Sequence, residues 1–379
     1  MPREIGIGLL GVGWMGEVHS TSYGRVPVHF PECDGRARLV VAADEVEERG
    51  RAAAEKLGYE RSTTDWREVI ADPAVEAVSI CTPNFMHREM AIAAAEAGKH
   101  FWGEKPLGAL PQDTLEIERA ADAAGVRTIV GLNYRNPPAV QYAKSLLDKG
   151  ELGDVNHFRM QFIASYSANP RGALSWRFSR ALSGHGILSD LGSHAIDLAQ
   201  YLCGPIVRVT ATASILISER PKVEMGTGTH FSVVEGDVEL GPVENEDWCA
   251  GLVEFASGLK GTIELSRVVV GADARYWFEI NGTRGAVAWN FERMNELELN
   301  GARILMGPQH PDFARFQPGQ GIPMGYDDLK VIEAYRFLQS IADGQQREPG
   351  VREIAATARV LDAVARSFES GRWEDVGER

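Results

Sequence analysis

The chain has 379 residues and carries 53 Asp or Glu against 39 Lys or Arg, a formal net charge of −14. An acidic field of this kind repels nucleic acid and anionic membrane surfaces, which sets polyanionic partners aside. The length suits two domains, and 44% hydrophobic with 24% charged residues is ordinary for a globular protein with a sizeable core.

The first 132 residues alternate short apolar runs with Ala-rich, charged stretches. The runs are Ile5–Leu10, Leu39–Ala43, Val75–Cys81, His100–Gly103 and Thr128–Leu132; Glu47–Leu57, Met90–Ala97 and Leu115–Ala124 read as helices between them. Val26–Arg36, with two prolines and a glycine, reads as a loop. Alternation of this length predicts βαβ crossovers on a parallel sheet. Ile5–Leu10 is too short to span a membrane and runs into a glycine turn, so it is a strand and not a signal peptide. Cys33, Cys81, Cys203 and Cys249 form no CxxC pair and read as reduced thiols, which with the missing leader predicts a cytoplasmic protein.

Beyond Asn133 the texture changes. A helix is expected over Pro138–Lys149, then strands over Asp154–Ala164, Val207–Ile217, Trp248–Ala256, Lys260–Val270, Tyr276–Asn281 and Ala286–Trp289, and closing helices over Tyr326–Asp343 and Val351–Gly371. In the first of these strands Phe158, Met160 and Phe162 alternate with His157, Arg159 and Gln161. The expected fold is α/β: an N-terminal Rossmann domain (1–132) with a parallel sheet, then an α+β domain (133–379) on a large open, mostly antiparallel sheet. Apolar residues such as Val253, Phe255, Ile263 and Leu265 are expected on the open face, which predicts a homodimer or homotetramer.

Gly11-Val12-Gly13-Trp14-Met15-Gly16 follows the first strand and opens a helix. In such a GxGxxG turn the first glycine permits the tight bend, the second lets the backbone approach a pyrophosphate, and the third allows close helix packing. Asp44 closes the second strand, where a carboxylate can accept hydrogen bonds from ribose hydroxyls. Residues 45–48 hold no Lys or Arg and include Glu45, so NAD is favoured over NADP; Arg49 is the nearest cation that could favour a 2′-phosphate. Asp44 could also cap the helix that follows. Thr82, Asn84 and His87 cluster just past the end of another strand, within reach of the ribose and nicotinamide side.

Two further motifs are Glu104-Lys105-Pro106 after the fifth run, and Asp190-Leu191-Gly192-Ser193-His194-Ala195-Ile196-Asp197. Together with Thr82-Pro83-Asn84, His87 and Gly131-Leu132-Asn133-Tyr134-Arg135, they resemble the Gfo/Idh/MocA oxidoreductase family over essentially the whole chain. Leu174–Phe178, Ile280–Gly285 and Gly325-Tyr326 look like the branch of that family containing levoglucosan dehydrogenase. The resemblance implies that Lys105 contacts the reacting hydroxyl and the nicotinamide ribose. It also implies that Trp176 and Arg177 reach the crevice from a loop, with Glu104 and Tyr326 beside the cofactor.

Read as one helix, Asp190, His194, Asp197 and Tyr201 form a polar stripe beside an apolar one of Leu191, Ala195, Leu198 and Leu202. No Lys, Arg or Glu occurs from Ile187 to Cys203, so the polar stripe is expected to line a pocket. His194 is the candidate base, oriented by Asp190, with Lys105 stabilising an alkoxide; a neutral Lys105 could instead be the base. A metal site from His185, Asp190 and His194 lacks a further Cys or close His ligand and is not expected.

Asn133, Tyr166, Trp176, Arg177 and His194 mix aromatic faces with hydrogen-bonding groups, which suits a pyranose or cyclitol. The expected activity is NAD-dependent oxidation of a secondary hydroxyl of a sugar, anhydrosugar or cyclitol. A glycoside hydrolase that oxidises its sugar transiently, a keto-sugar, aldehyde or imine reductase, and a non-catalytic dinucleotide sensor are the alternatives; the sensor would not need Lys105, Asp190 and His194 together.

Overall fold

The computed structural model describes residues 1–223, 232–309, 315–319 and 321–377. Six parallel strands, β1 (Arg3–Leu10), β2 (Gly35–Ala43), β3 (Arg61–Thr63), β4 (Ala77–Ile80), β5 (His100–Gly103) and β6 (Thr128–Val130), lie in the order β3-β2-β1-β4-β5-β6. The strand order reverses between β1 and β4, and a ligand crevice opens at the carboxyl ends of the strands beside such a switch. Helices α1 (Trp14–His29), α2 (Glu47–Leu57), α3 (Trp66–Ala71), α4 (Asn84–Glu96) and α5 (Pro111–Ala124) connect them. The strands are buried on both faces, as a helix-covered parallel sheet requires: Ile5, Ile7, Leu9, Val78, Ile80 and Phe101 have no exposed surface.

The segment Val26–Arg36 is not all loop. α1 runs through Pro27 to His29, and its last turn closes with Phe30 N donating to Val26 O at 2.7 Å. An interior proline costs a helix about 3 kcal/mol. Burial of Tyr23 and Val26 on this helix offsets that cost, and neither burial nor its partner could be read from the local pattern.

The second sheet has nine strands in the order β16-β15-β14-β13-β7-β12-β11-β8-β17. They are β7 (Val155–Ala164), β8 (Ile206–Ser214), β11 (Trp248–Phe255), β12 (Lys260–Ser266), β13 (Ala274–Gly282), β14 (Ala286–Asn290), β15 (Glu296–Leu299), β16 (Ala302–Leu305) and β17 (Glu374–Asp375). A separate hairpin joins β9 (Glu219–Pro221) and β10 (Leu240–Pro242). All pairs in the large sheet are antiparallel except β7 with β12. One face packs against α6 (Pro138–Asp148), α9 (Gly192–Cys203) and α11 (Val351–Ser370). The short helices α7 (Arg180–Ser183) and α8 (Ile187–Asp190) precede α9, and α10 (Tyr326–Asp343) lies against α1 and β2 of the first sheet.

Phe158, Met160 and Phe162 face inward from β7, as the alternation requires. Val253, Phe255, Ile263 and Leu265 are also buried on this inner face and not on the open one, because they share the register of Phe158 and Met160 across β12 and β11. The open face carries instead Arg159, Gln161, Thr210, Thr212, Ala250, Leu252, Thr262, Glu264 and Trp277. Among the described residues no helix is long and apolar enough to cross a membrane, and the four cysteines are unpaired.

Candidate active site

The glycine turn is built as a phosphate cradle. Gly11 sits at φ 92°, a left-handed conformation that side chains resist. A Cβ on Gly16 would fall 2.2 Å from the Gly11 carbonyl oxygen, so the third glycine lets α1 seat against the turn. A Cβ on Gly13 would meet nothing within 4 Å. The second glycine thus faces open space at the positive end of α1, where an anionic group finds backbone N–H donors. Trp14 and Met15 open the helix, and the exposed Trp14 ring stacks on Tyr326 from α10 at 5.8 Å. This open cradle fits the pyrophosphate of a dinucleotide.

Asp44 directly follows β2, with its side chain mostly buried. Its Oδ1 accepts from Val46 N at 3.0 Å and from Arg49 Nε at 3.0 Å. α2 begins at Glu47 and its first turn is capped by neither Asp44 nor any other side chain, so the carboxylate shapes the turn before the helix. Arg49 is held by Asp44.

Thr82 and Asn84 lie just beyond β4 at the lip of the crevice, Asn84 as the first residue of α4. His87 is placed otherwise than expected. It is buried, with Nε2 2.7 Å from Thr82 O and Nδ1 2.9 Å from Pro106 O, so it braces two loops and offers no free nitrogen to a cofactor. Glu104 also turns away from the crevice: its Oε1 accepts from Lys330 Nζ at 2.6 Å and lies 2.9 Å from His19 Nε2. Glu104 thus enters the layer between α1 and α10, while Lys105, just beyond the end of β5, turns toward Asp190 in the crevice.

There Lys105 Nζ donates to Asp190 Oδ1 and to the Asp190 main-chain oxygen, both at 2.9 Å. The other carboxylate oxygen accepts from Tyr166 Oη at 2.7 Å, and Arg177 Nη1 stands 3.7 Å from Oδ1. Burial disfavours charge on Asp190, but Lys105, Arg177 and the Tyr166 hydroxyl outweigh it and hold its carboxyl well below the usual range. Arg177 lies over the Trp176 ring, whose edge meets Phe85 of α4. The loop bearing Trp176 and Arg177 therefore closes over the crevice from the second domain.

His194 lies in the first turns of α9, buried, with Tyr134 packed edge-on at 4.6 Å and no hydrogen-bond partner for Nδ1 among the described residues. Burial, reinforced by Lys105 and Lys330, pushes its pKa well below the ordinary value, so the ring is neutral. The expected hydrogen bond between His194 and Asp190 is not formed; the Asp190 oxygens accept from Lys105 and Tyr166 instead, and His194 Nδ1 has no partner among the described residues. Nor is the Asp190–Tyr201 stripe one pocket lining. The helix breaks at Leu191 between α8 and α9; Asp197 is buried in an ion pair with Arg135, Nε to Oδ2 at 2.8 Å, and Tyr201 bonds Gln141. Asn133 is buried beside the Tyr326 hydroxyl without a well-formed hydrogen bond of its own.

Lys330, His19 and Glu333 were not anticipated. Lys330 stands among Leu329, Val331, Ala334 and Phe337 on the buried side of α10, and a charged pair spaced i, i+3 within an apolar helix face is the signal that could have exposed it. Among the described residues no group of three or more His, Cys, Asp or Glu could hold a metal ion.

A parallel sheet of this order, a phosphate cradle at its first turn and a lysine–aspartate–tyrosine cluster at its carboxyl edge define a dinucleotide-dependent oxidoreductase. Residues 5–132 match the model of the oxidoreductase family with an NAD-binding Rossmann fold, and residues 140–288 match the GFO/IDH/MocA C-terminal domain. The chain belongs to the GFO/IDH/MocA family. It is 36% identical to levoglucosan dehydrogenase of Pseudarthrobacter phenanthrenivorans over 99% of this chain and 98% of that one. It is 29% identical to the scyllo-inositol 2-dehydrogenase (NAD(+)) of Bacillus subtilis over 98% and 96% of the two chains. A solved structure of levoglucosan dehydrogenase in complex with NADH and levoglucosan superposes with a TM-score of 0.92 at 34% identity, covering 99% of this chain and all of that one.

Proposed function

We propose that this protein oxidises a secondary hydroxyl of a sugar, anhydrosugar or cyclitol with NAD. The observation that carries the reading is the Lys105–Asp190–Tyr166 cluster, a charged group buried at the edge of a dinucleotide crevice where an alcohol can meet a donor. Gly11, Gly13, Trp14, Met15, Asp44, Thr82 and Asn84 would hold the dinucleotide, and the nicotinamide supplies the hydride acceptor when bound.

Lys105, held toward the crevice by its bonds to Asp190, donates to the substrate oxygen and stabilises the alkoxide as the hydride leaves. Neutral His194 accepts the hydroxyl proton; burial, Lys105 and Lys330 oppose the imidazolium, and the Asp190 charge offsets them only in part. Tyr166 fixes the Asp190 carboxylate in the orientation that holds Lys105. Asn133, with unspent donors and acceptors, and Trp176 with Arg177 at the mouth suit a ring bearing several hydroxyls.

The compartment is proposed as cytoplasmic, on the free thiols. The assembly is proposed as a homodimer or homotetramer, on a nine-stranded sheet whose open face carries the half-exposed Leu252 together with Trp277; a monomeric mass in light scattering would contradict it. The activity is tested by following NADH absorbance with free sugars, anhydrosugars, glycosides and inositols. NADH accumulating with a polyol supports the reading, and cleavage of a glycoside without net NADH contradicts it.

A further inference from the structure

Beneath the crevice lies a buried charged cluster that the chemistry above does not use. Lys330 has no exposed surface, and its ammonium is shared between Glu104 at 2.6 Å and Glu333 at 3.1 Å. The same Glu104 oxygen faces His19, whose ring stacks on Trp102 at 3.4 Å. Burying an ammonium is expensive, and an apolar side chain of similar volume is often as stable or more so. Leu329, Val331, Phe337 and Ile341 of α10 are apolar, yet this one position holds a lysine.

Its placement gives a reason. The carboxylate it holds belongs to the residue directly before Lys105. Glu104 N donates to Ile80 O at 2.9 Å, and a Cβ on Gly131 would come within 2.6 Å of both Glu104 carboxylate oxygens. The carboxylate is therefore packed onto the turn that leads to Asn133. One helical turn before Lys330, Tyr326 stacks on Trp14 of the phosphate turn. The Glu104 carboxylate, held by the Lys330 ammonium of α10 and facing His19 of α1, thus ties the end of β5 to both helices behind the residues that would face cofactor and substrate.

We propose that Lys330 is a positioning residue for the oxidation, acting through Glu104 to fix the direction in which Lys105 enters the crevice. This rests on the dehydrogenase reading for its kinetic consequence, though not for the geometry. Freeing the Glu104 side chain lets the β5 end shift, and Lys105 then loses its two bonds to Asp190. A misplacement of about 1 Å in a reacting group can cost on the order of a hundredfold in rate.

The test is a double-mutant cycle of Lys330→Met, Glu104→Gln and both together, read by kcat, KM, NADH dissociation constant, melting temperature and the rate at which acetic anhydride modifies Lys105. Each single variant is expected to lose about a hundredfold in kcat with substrate KM and NADH affinity within about threefold, and the double variant to lose no more than the worse single. Lys105 acetylation, quantified by peptide mass spectrometry, is expected to quicken severalfold. A folded Lys330→Met protein with lowered melting temperature but unchanged kcat and unchanged labelling overturns the proposal and leaves a structural role. Additive losses in the cycle also overturn it. If Lys330→Met does not fold, Glu104→Gln decides alone by the same two readouts. If the wild type oxidises no polyol while Lys105 labelling still responds to Lys330→Met, the positioning stands and only the dehydrogenase reading fails.

Discussion

Lys105 gives two hydrogen bonds to one residue, the side-chain Oδ1 and the main-chain carbonyl of Asp190, each at 2.9 Å. Such a pairing fixes the direction of the Lys105 side chain, since rotation about its last bonds would break one bond or the other. Lys105→Ala is expected to lower kcat by about 10³-fold while NAD affinity, measured by titration calorimetry, stays within about threefold. Near-normal turnover would remove Lys105 from the chemistry. Tyr166→Phe frees one Asp190 oxygen and is expected to cost about tenfold in kcat, as loss of a hydrogen bond to a charged group does.

The glycines of the phosphate turn separate folding from binding. Gly13→Ala adds a methyl group to open space, so the melting temperature should hold while NAD affinity falls at least about tenfold. Gly16→Ala drives a methyl group against the Gly11 carbonyl and should lower both. Equal NAD affinity in Gly13→Ala and the wild type would contradict the placement of the pyrophosphate.

Asp44 and Arg49 act in opposite senses on cofactor choice. Asp44 holds Arg49, so the guanidinium is occupied; in the proposed binding mode the carboxylate would face the ribose. Asp44→Ala is expected to weaken NAD binding by about tenfold and to release Arg49 toward a 2′-phosphate, raising NADP affinity. Dissociation constants for both nucleotides check this; an unchanged NAD-to-NADP ratio would contradict it.

His19 makes stability depend on pH. Burial, only partly offset by Glu104, lowers its pKa from 6.5 to about 4. As pH falls through 6.5 the unfolded chain takes up a proton that the folded chain refuses until about 4. The contribution is therefore complete above pH 6.5 and is lost across the window below it, on the order of 3 kcal/mol in all. His19→Gln, which keeps a donor toward Glu104, should flatten the melting temperature against pH in that window and reduce proton uptake on unfolding by about one. An unchanged uptake would contradict it.

The parallel sheet, the glycine turn and both closing helices were legible because each is written in local periodicity or turn chemistry. β7 shows this well, with Phe158, Met160 and Phe162 set against His157, Arg159 and Gln161. What was not legible depends on partners distant in sequence. Pro27 suggests a break in α1, but only packing shows that the helix continues. Val253 and Ile263 alternate correctly along their strands, yet alternation does not say which face a helix will cover. Asp197 and His194 share one helix face, but Arg135, 62 residues before Asp197, claims the first. Glu104 and Lys105 are adjacent, and only the α10 lysine more than two hundred positions later shows that Glu104 turns away from the crevice that Lys105 enters.

The central claim is tested most directly by NADH formation with a panel of anhydrosugars, pyranoses and inositols, wild type beside Lys105→Ala. Stoichiometric NADH with at least one of these polyols, abolished in Lys105→Ala although that variant still binds NAD, is the predicted result. NAD binding in the wild type without NADH formation from any of them would contradict the account.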